Sequence, residues 1–390
     1  MRLLVTHEIH ARQVVDRFYN LESAVIGYPE LCNYRYAIGE IMVVCRSRQA
    51  GHVHDGWFRI DGQGVTVCSM PEPDRPWSLP FQLPRMLKAA SGALRKCDRY
   101  LLRLPGPTGA AMGLLLWVTG RGYGVELAGH ASEGLLEVKG RSPAIRFMAR
   151  VSDFLTRKLV HRAQCVAYRS HHLRGLYPNR RSEREWVFSG ARLDERVIRH
   201  PRNPEWFERQ PTRIIYVGRL QPEKGVMDLL DAFESITGGS STLELAFIGD
   251  GPLASTLRSE IDRRGLETRV RLTGRIPHGS ELFAELDRAH LMVLPSRTEG
   301  MPRALIEAMA AGLPAIGSRV GGIPELLPSD CLFPPRNPNV MAELILRVIC
   351  DRGKLSEMSL RGFEISKSHW KAGLDAAKQG FWKAVVEYCK

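Results

Sequence analysis

The chain contains 390 residues, of which 44% are hydrophobic and 25% are charged, and its formal net charge is +13. This length accommodates two domains of ordinary size, and the composition excludes a disordered or fibrous protein. The longest apolar run, residues 110–118, is too short to cross a bilayer, and residues 1–6 do not continue into the apolar core of a signal peptide. The eight cysteines form no CxxC pair, which argues against a zinc or redox motif and predicts reduced thiols in the cytosol.

The positive charge is concentrated in the first half of the chain. Residues 1–205 hold 31 Lys and Arg against 19 Asp and Glu, whereas residues 206–390 hold 24 against 23. Such an imbalance suits an anionic membrane surface or a nucleic acid, and it also occurs on surfaces that contact only solvent. The charge by itself leaves these three interpretations open.

Strands and helices are predicted to alternate in the first half. The run at residues 1–6 predicts a strand, and the proline-rich segment 71–84 predicts a loop. A helix is expected after the first strand, with one face formed by Val14, Val15, Phe18 and Leu21. Further strands are expected at residues 41–45, 65–69, 100–104, 124–128 and 165–168, and further helices after the turn at 105–107 and at 142–162 and 170–176.

The predicted helix at residues 142–162 is both amphipathic and basic. Such a helix can lie on a membrane, or it can be a domain helix with one solvated face, and both interpretations remain open. Its apolar residues include Ile145, Met148, Phe154, Leu155 and Leu159, and its basic neighbours and members are Arg141, Arg146, Arg150, Arg157, Lys158 and Arg162.

The second half begins after a segment without periodicity. Residues 200–211 contain three prolines, so we place the interdomain linker there. The strand predicted at 213–217 leads into GRLQPEKG, a loop that starts at Gly218. The cations Arg219 and Lys224 in this glycine turn suit a diphosphate because they offset its negative charge, although an ordinary basic loop has the same composition.

Residues 291–325 are the most informative stretch. They predict a strand, a polar turn, a helix and a second strand, the order found in a parallel sheet, after earlier strands at 243–249 and 270–274 and a helix at 281–289. Pro302 suits the first turn of the helix. The N–H groups of that turn, around Met301 to Arg303, are able to hold a phosphate.

Two carboxylates flank this helix start. Glu299 precedes the helix and is able to hold a sugar, and Glu307 lies inside it and is able to hold a ribose. Both are also compatible with ordinary surface charges, because a chain with 27 glutamates contains such a spacing by chance.

The stretch EGMPRALIEAMAAGLPAIGSRVGGIPE resembles the signature of retaining glycosyltransferases of family 4, also called glycosyl transferase group 1. GRLQPEKG resembles the second signature of that family, in the right order and about 80 residues earlier. The resemblance implies an α/β protein of the GT-B fold, with two Rossmann-like domains facing a cleft. By this resemblance residues 1–205 bind the acceptor, residues 206–370 bind the nucleotide sugar, and residues 371–390 form a helix that crosses back to the first domain.

The resemblance also implies roles for individual residues. Arg219 and Lys224 grip the donor diphosphate, Glu299 contacts the donor sugar and Glu307 contacts the nucleotide ribose; the first three are the catalytic candidates. The remaining donor-binding candidates are Gly218, Met301, Pro302, Arg303, the backbone near Arg275 for the base, and His130 for the sugar. The family usually has a glycine pair after the first strand, where this chain has His7-Glu8-Ile9, so the acceptor side is left undetermined.

The function implied by the resemblance is transfer of a hexosyl group from a nucleotide-diphosphate sugar to a hydroxyl with retention of the anomeric configuration. By analogy the acceptor is a lipid-linked glycan of bacterial surface polysaccharide assembly, and the enzyme is cytoplasmic, with the basic first domain against the anionic inner face of the membrane. No metal or other cofactor is expected, since the chain has no D-x-D sequence, and no nucleic acid partner is expected. The alternatives are a sugar-nucleotide epimerase or hydrolase of the same fold, a basic nucleic-acid-binding protein, and a non-catalytic subunit.

Overall fold

Two sheets with helices packed against them form the structure, a computed structural model that describes residues 1–20, 28–36, 38–54, 57–72, 79–140, 142–191, 193, 198–238 and 242–390. The elements of the first half are β1 (Arg2–Val14), β2 (Arg17–Asn20), α1 (Tyr28–Cys32), β3 (Glu40–Gln49), β4 (Phe58–Arg59), β5 (Val65–Pro71), α2 (Leu79–Arg95), β6 (Arg99–Leu104), α3 (Pro107–Val118), β7 (Gly124–Leu127), α4 (Ala131–Lys139), α5 (Pro143–Arg162), β8 (Cys165–Tyr168), α6 (His171–Leu176) and β9 (Glu185–Val187). Those of the second half are β10 (Thr212–Val217), α7 (Val226–Thr237), β11 (Leu243–Ile248), α8 (Ala254–Arg263), β12 (Val270–Gly274), α9 (Ser280–Arg288), β13 (Leu291–Leu294), α10 (Arg303–Ala310), β14 (Ala315–Ser318), β15 (Leu332–Phe333), α11 (Pro338–Ile349), α12 (Arg352–Ser366) and α13 (Lys371–Tyr388).

The first sheet is parallel in the order β5-β3-β1-β6-β7-β8-β9, and β2 and β4 add to it as short antiparallel strands. Successive side chains of a strand point to opposite faces. In β1, Leu4 packs in the core that includes α2, α3 and α5, whereas Leu3 and Val5 pack in the core on the other face. The last helix, α13, covers that other face through Phe381 and Val385. The predicted return of the last helix to the first domain is therefore confirmed.

The helix predicted after residue 6 is wrong, because β1 continues as a strand to Val14 and then turns into β2. Ile9 and Ala11 are buried and alternate with polar, part-exposed neighbours, which is the period of a strand. Phe18, assigned to the same helix face as Val14, lies on the antiparallel partner strand, and Leu21 is outside the described residues.

The loop predicted at residues 71–84 is wrong from Leu79 onward, where α2 begins, and residues 73–78 are outside the described residues. The helix contains Pro84 within its first two turns. A proline near a helix start removes a single backbone hydrogen bond, and the apolar side chains farther along α2, such as Met86 and Ala90, are buried in the first-domain core.

The second sheet is parallel throughout, in the order β12-β11-β10-β13-β14-β15. Among the elements whose bounds were predicted, β10, β11, β12 and α9 lie within two residues of those bounds. The segment at residues 200–211 packs against this domain: Phe207 is buried in its core, and the N–H of Arg202 donates to Ser359 Oγ at 2.8 Å. Among the helices of the described ranges, none has the length and apolar character that crossing a bilayer requires.

Candidate functional site

The loops that follow β10, β12, β13 and β14 meet at one edge of the second sheet, because parallel strands end on the same side. This edge faces the first domain. A Cβ atom at Gly300, in the loop after β13, would lie 2.4 Å from the carbonyl oxygen of Ala128, which follows β7. Only a residue without a side chain permits this approach, so the two domains are in contact next to Glu299, the residue predicted to bind the donor sugar.

Lys224 and Glu299 are in direct contact in this cleft. Lys224 Nζ donates to Glu299 Oε1 at 2.5 Å, and Ser296 Oγ donates to the same oxygen at 2.8 Å. The side chains of Lys224 and Glu299 are 16% and 11% exposed. The two residues are 75 positions apart in the sequence, and they meet because β10 and β13 are neighbours in the sheet.

The loops that carry this pair are fixed to each other. Gly225 has φ of +65°, and a Cβ atom there would lie 2.1 Å from the carbonyl oxygen of Pro295. The backbone N–H of Arg297 donates to the carbonyl oxygen of Glu223 at 2.7 Å, and its guanidinium forms a bidentate pair with Asp228 at 2.8 and 3.2 Å. Bidentate pairs constrain geometry strongly, so the site is held in place before any ligand arrives.

Gly218 and Arg219 lie at the end of β10, where the N–H of Gly218 continues the pairing with β11. The backbone of Arg219 is anchored by the hydroxyl of Tyr216, which donates to its carbonyl oxygen at 2.8 Å. Burial, and then the charge of Glu299, raise the pKa of Tyr216 well above its ordinary value, so the hydroxyl remains a donor. The Arg219 side chain is 55% exposed, with Nη2 3.8 Å from Glu223 Oε1. Arg219 thus presents an accessible cation on a fixed backbone.

The helix α10 begins at Arg303, immediately after Met301 and the buried Pro302. Pro302 occupies the N-cap position and makes no side-chain cap bond, so nothing from its side chain satisfies the first N–H groups of α10. These groups carry the positive end of the helix dipole and suit an anion such as a phosphate.

Glu307 lies on α10 with its side chain nearly buried, and Nε2 of His278 is 3.1 Å from its Oε1. This hydrogen bond raises the pKa of His278 above its ordinary value, although partial burial opposes the shift. His278 belongs to the loop after β12, as does Arg275, whose guanidinium lies 5.0 Å from the ring centre of Phe58 on β4. Glu307, the predicted ribose-binding residue, is therefore hydrogen-bonded to His278, and Arg275 of the predicted base-binding segment contacts the first domain.

His130 lies on the opposite side of the cleft as the N-cap of α4, where its Nδ1 accepts from the N–H of Glu133 at 3.4 Å. Its ring packs edge-on against Tyr177. Glu133 reaches across the cleft, where its Oε2 accepts from Thr298 Oγ1 at 3.1 Å. The structure therefore places His130 close to the loop of Glu299 and uses the imidazole to cap a helix.

A second contact joins the domains at the end of the family-like stretch. The carboxylate of Glu325 accepts from the N–H groups of His171 and His172, at 2.9 and 2.7 Å, at the start of α6. Arg336 and Glu137 form a further ion pair between the domains.

On the first-domain side of the cleft, the charged residue Glu8 follows the buried start of β1. Glu8 accepts from the N–H of Thr108 at 2.8 Å and from Arg46 at 3.2 Å, so it caps the start of α3. The preceding His7 is buried, with Nε2 2.7 Å from Nη1 of Arg103. Burial, followed by the nearby positive charges, lowers the pKa of His7 well below its ordinary value, so this imidazole is neutral at pH 7.

The sequence analysis did not identify the residues that hydrogen-bond to the predicted site residues and their loops. Ser296 lies three residues before Glu299, and its place in a polar turn was the one available signal. The partnerships of His278, Glu133 and Glu325 depend on loops from different strands, and no pattern in the sequence indicates them. Within the described ranges, no group of three or more His, Cys, Asp or Glu is arranged to hold a metal ion.

Comparison with known proteins shows what the second domain is similar to. Residues 211–351 match the family model described as "Glycosyl transferases group 1". The amylovoran biosynthesis glycosyltransferase AmsK of Erwinia amylovora is 37% identical over 148 residues, 36% of either chain. The teichuronic acid biosynthesis glycosyltransferase TuaC of Bacillus subtilis, whose assignment is putative, is 34% identical over 42% of this chain and 39% of its own. The chain therefore spans less than half the length of these relatives, whereas CapJ of Staphylococcus aureus is 23% identical over 90% of this chain and 87% of its own.

Solved structures match along the whole chain. HepE from Anabaena in complex with UDP-glucose has a TM-score of 0.64, with 18% identity and 99% of both chains covered. Sucrose-phosphate synthase from Thermosynechococcus elongatus has a TM-score of 0.69, with 17% identity, 99% of this chain and 98% of its own covered. The predicted fold class, two Rossmann-like domains in the GT-B arrangement, is confirmed.

Proposed function

We propose that the protein is a retaining glycosyltransferase of family 4 that moves a hexosyl group from a nucleotide-diphosphate sugar to a hydroxyl acceptor. The observation that carries this proposal is the contact of Lys224 with Glu299 in the cleft, at the edge of a domain that matches the group 1 glycosyltransferases. The match covers the residues in which both family-like stretches lie.

In this proposal the donor lies along the carboxyl edge of the second sheet. Lys224, Arg219 and the first N–H groups of α10 hold the diphosphate, since cations and helix-start amides suit its negative charge. Glu299 holds the donor sugar and Glu307 the ribose, which requires Lys224 and His278 to exchange their present carboxylate partners for the ligand. His130 then lies on the sugar side of the cleft and Arg275 beside the base.

The proposed reaction needs charge stabilisation more than a protein nucleophile. The bond between C1 of the sugar and the diphosphate oxygen breaks, the acceptor oxygen bonds to C1 on the same face, and the acceptor proton passes to the leaving diphosphate. Negative charge develops on that diphosphate, so fixed cations and amides aimed at it lower the barrier. Arg219 and Lys224 supply this charge, which is why we propose that no metal is required.

The acceptor we propose is a lipid-linked glycan of bacterial surface polysaccharide assembly, used at the cytoplasmic face of the membrane. The support comes from relatives that are assigned to amylovoran, teichuronic acid and colanic acid biosynthesis. HepE was solved with UDP and with UDP-glucose, so UDP-sugars are the first donors to test.

Release of nucleoside diphosphate from a panel of nucleotide sugars, with and without lipid-linked acceptor extracts, tests the proposal. We expect acceptor-dependent release and a glycoside product whose anomeric proton coupling matches that of the donor. Arg219→Ala should reduce the rate at least about tenfold, because hydrogen bonds to charged groups contribute about 1.5–3 kcal/mol. The matched control is Arg352→Ala, since Arg352 is also 55% exposed and lies on α12. Acceptor-independent formation of free sugar or of an epimer, or inverted configuration in the product, would contradict the proposal.

A further inference from the structure

Helix α5 exposes apolar side chains on its outer surface. Phe147 is 69% exposed and Phe154 58%, with Met148 and Val151 at 45% and 40%. At 100° per residue, Phe147, Val151 and Phe154 fall within an arc of roughly 60°. The opposite side of the helix, which includes Ala149 and Leu159, is buried against the domain. The exposed apolar stripe is therefore additional to the face that packs in the core.

Cations border this stripe. Arg146, Arg150 and Lys158 are exposed, and Lys158 Nζ lies 5.5 Å from the ring centre of Phe154. Asp153 is the one acidic residue in the sequence of α5, and its carboxylate bonds Arg157 and Tyr177. The outer surface of the helix is thus apolar and positively charged.

Neighbouring helices also expose apolar side chains. α3 packs against both α2 and α5 on one face of the first sheet. On α3, Val118 is 85% exposed and Leu114 39%, and on α2 Leu87 is 43% exposed beside the exposed cations Arg85 and Lys88. Single exposed apolar residues are common, but the four on α5 fall within eight consecutive residues of one helix, a concentration of the kind that marks a docking surface.

We propose that this α5 surface, formed by Phe147, Met148, Val151 and Phe154 with Arg146, Arg150 and Lys158, binds the surface of an anionic lipid bilayer. The apolar side chains enter the boundary between headgroups and acyl chains while the cations contact lipid phosphates, which is how amphipathic basic helices lie on membranes. Each cation near an anionic leaflet strengthens binding about fivefold. A second copy of the chain is a poorer occupant, because it would bring the same cations face to face.

The position of the surface suits an enzyme that uses a membrane-embedded acceptor. α4 begins at His130 in the cleft and packs along α5, so the α5 surface is one helix away from the cleft. This relation rests on the proposed function, whereas the binding of α5 to lipid does not, and the test below therefore measures binding without turnover.

Vesicle flotation of the full chain tests the proposal. We expect co-flotation with phosphatidylcholine vesicles that contain about 30% phosphatidylglycerol, and loss of binding without the anionic lipid or at about 0.5 M salt, where charges are screened. The double variant Phe147→Ser/Phe154→Ser and the double variant Arg146→Glu/Arg150→Glu should each weaken binding at least about tenfold. All four residues are exposed, so the variants should keep the wild-type melting temperature.

Matched controls lie on the second domain. Leu360 is 54% exposed on α12, so Leu360→Ser should leave binding unchanged, as should Arg352→Glu. No binding to anionic vesicles, or binding that both α5 variants retain, would overturn the proposal. A dimer in sedimentation experiments that becomes a monomer in Phe147→Ser/Phe154→Ser would also overturn the proposal, because a second copy of the chain would then cover the α5 surface. Donor binding measured on the same variants should be unaffected, which separates this proposal from the proposed function.

Discussion

Replacing Lys224 by methionine removes the cation from a carboxylate that it contacts at 2.5 Å. Removing one partner of a fully buried pair costs about 3–5 kcal/mol, and an exposed pair is worth about 0–1 kcal/mol. The Lys224 and Glu299 side chains are 16% and 11% exposed, and Glu299 keeps its hydrogen bond from Ser296. We therefore expect Lys224→Met to destabilise the second domain by about 2–3 kcal/mol, the methionine preserving most of the packing of the lysine stem.

The double variant separates this interaction from other effects. Glu299→Gln leaves the flexible Lys224 ammonium able to reach water and keeps an acceptor for Ser296, so its cost should be smaller, about 1–2 kcal/mol. Combining Lys224→Met with Glu299→Gln should cost less than the sum of the single changes by about 1–2 kcal/mol, because the unpaired charge is absent. Thermal unfolding is a suitable readout, since about 1 kcal/mol shifts the melting temperature of a domain of this size by about 2–4 °C.

The two single variants should change the affinity for a nucleoside diphosphate in opposite directions. Lys224→Met should weaken the binding of the nucleoside diphosphate about 10–100-fold, whereas Glu299→Gln should strengthen it, because Lys224 no longer has a competing carboxylate. Calorimetric titration of both variants, with Arg352→Met as the control, measures this difference. Additive stabilities in the cycle, together with weaker diphosphate binding in Glu299→Gln, would refute the reasoning.

The remaining predictions concern the cleft and its partners. Gly300→Ala should lower the transfer rate at least about tenfold with little change in the unfolding of the second domain, because its Cβ would lie 2.4 Å from Ala128 O and keep the domains apart; normal transfer kinetics would refute the close approach. Glu325→Ala should destabilise the chain by about 1–2 kcal/mol through loss of two hydrogen bonds at the start of α6, with Glu325→Gln costing less in chemical denaturation, and equal costs would argue against the cap. Glu307 raises the pKa of His278, so the pair stabilises the protein fully below the ordinary pKa of histidine, and this stabilisation is lost as pH rises through the raised pKa. Donor affinity should increase over that pH interval, because Glu307 loses its charged partner. His278→Gln should remove this pH dependence in titrations, and a pH dependence that persists in the variant would exclude His278 as its cause. Transfer should continue in excess chelator, and a loss of activity restored by a divalent cation would show that metal is required.

The second domain could be predicted closely because its information is local. Apolar runs of four to six residues mark β10, β11 and β13, and glycine or proline marks the turns after them. The family-like residues are also clustered in sequence, so Glu299 and Glu307 could be placed on a loop and a helix in advance. The return of the last helix was expected only from the family resemblance, and in the structure Phe381 of α13 packs in the core on one face of the first sheet.

The first domain and the contacts of the site could not be predicted to the same degree. The extension of β1 alternates small or apolar residues with charged ones, and the apolar residues after it have a spacing that also fits a helix. Contacts such as Lys224–Glu299 and His278–Glu307 depend on strand order, which the sequence pattern does not determine. Glu8 was recognised only as a departure from glycine, because a side chain that caps a helix a hundred residues away leaves no local signal.

The most direct test of the donor site is a titration of the wild-type protein with UDP-, GDP- and ADP-sugars in the presence of chelator, repeated with Glu307→Gln and with the control Glu281→Gln. Glu281 lies on the first turn of α9 and is exposed. We expect one nucleotide class to bind, to raise the melting temperature by about 2–4 °C for each 1 kcal/mol of binding stabilisation, and to lose affinity in Glu307→Gln and not in the control. Binding of none of the nucleotide sugars, or equal binding in Glu307→Gln and wild type, would contradict the assignment of this cleft as the donor site of a glycosyltransferase.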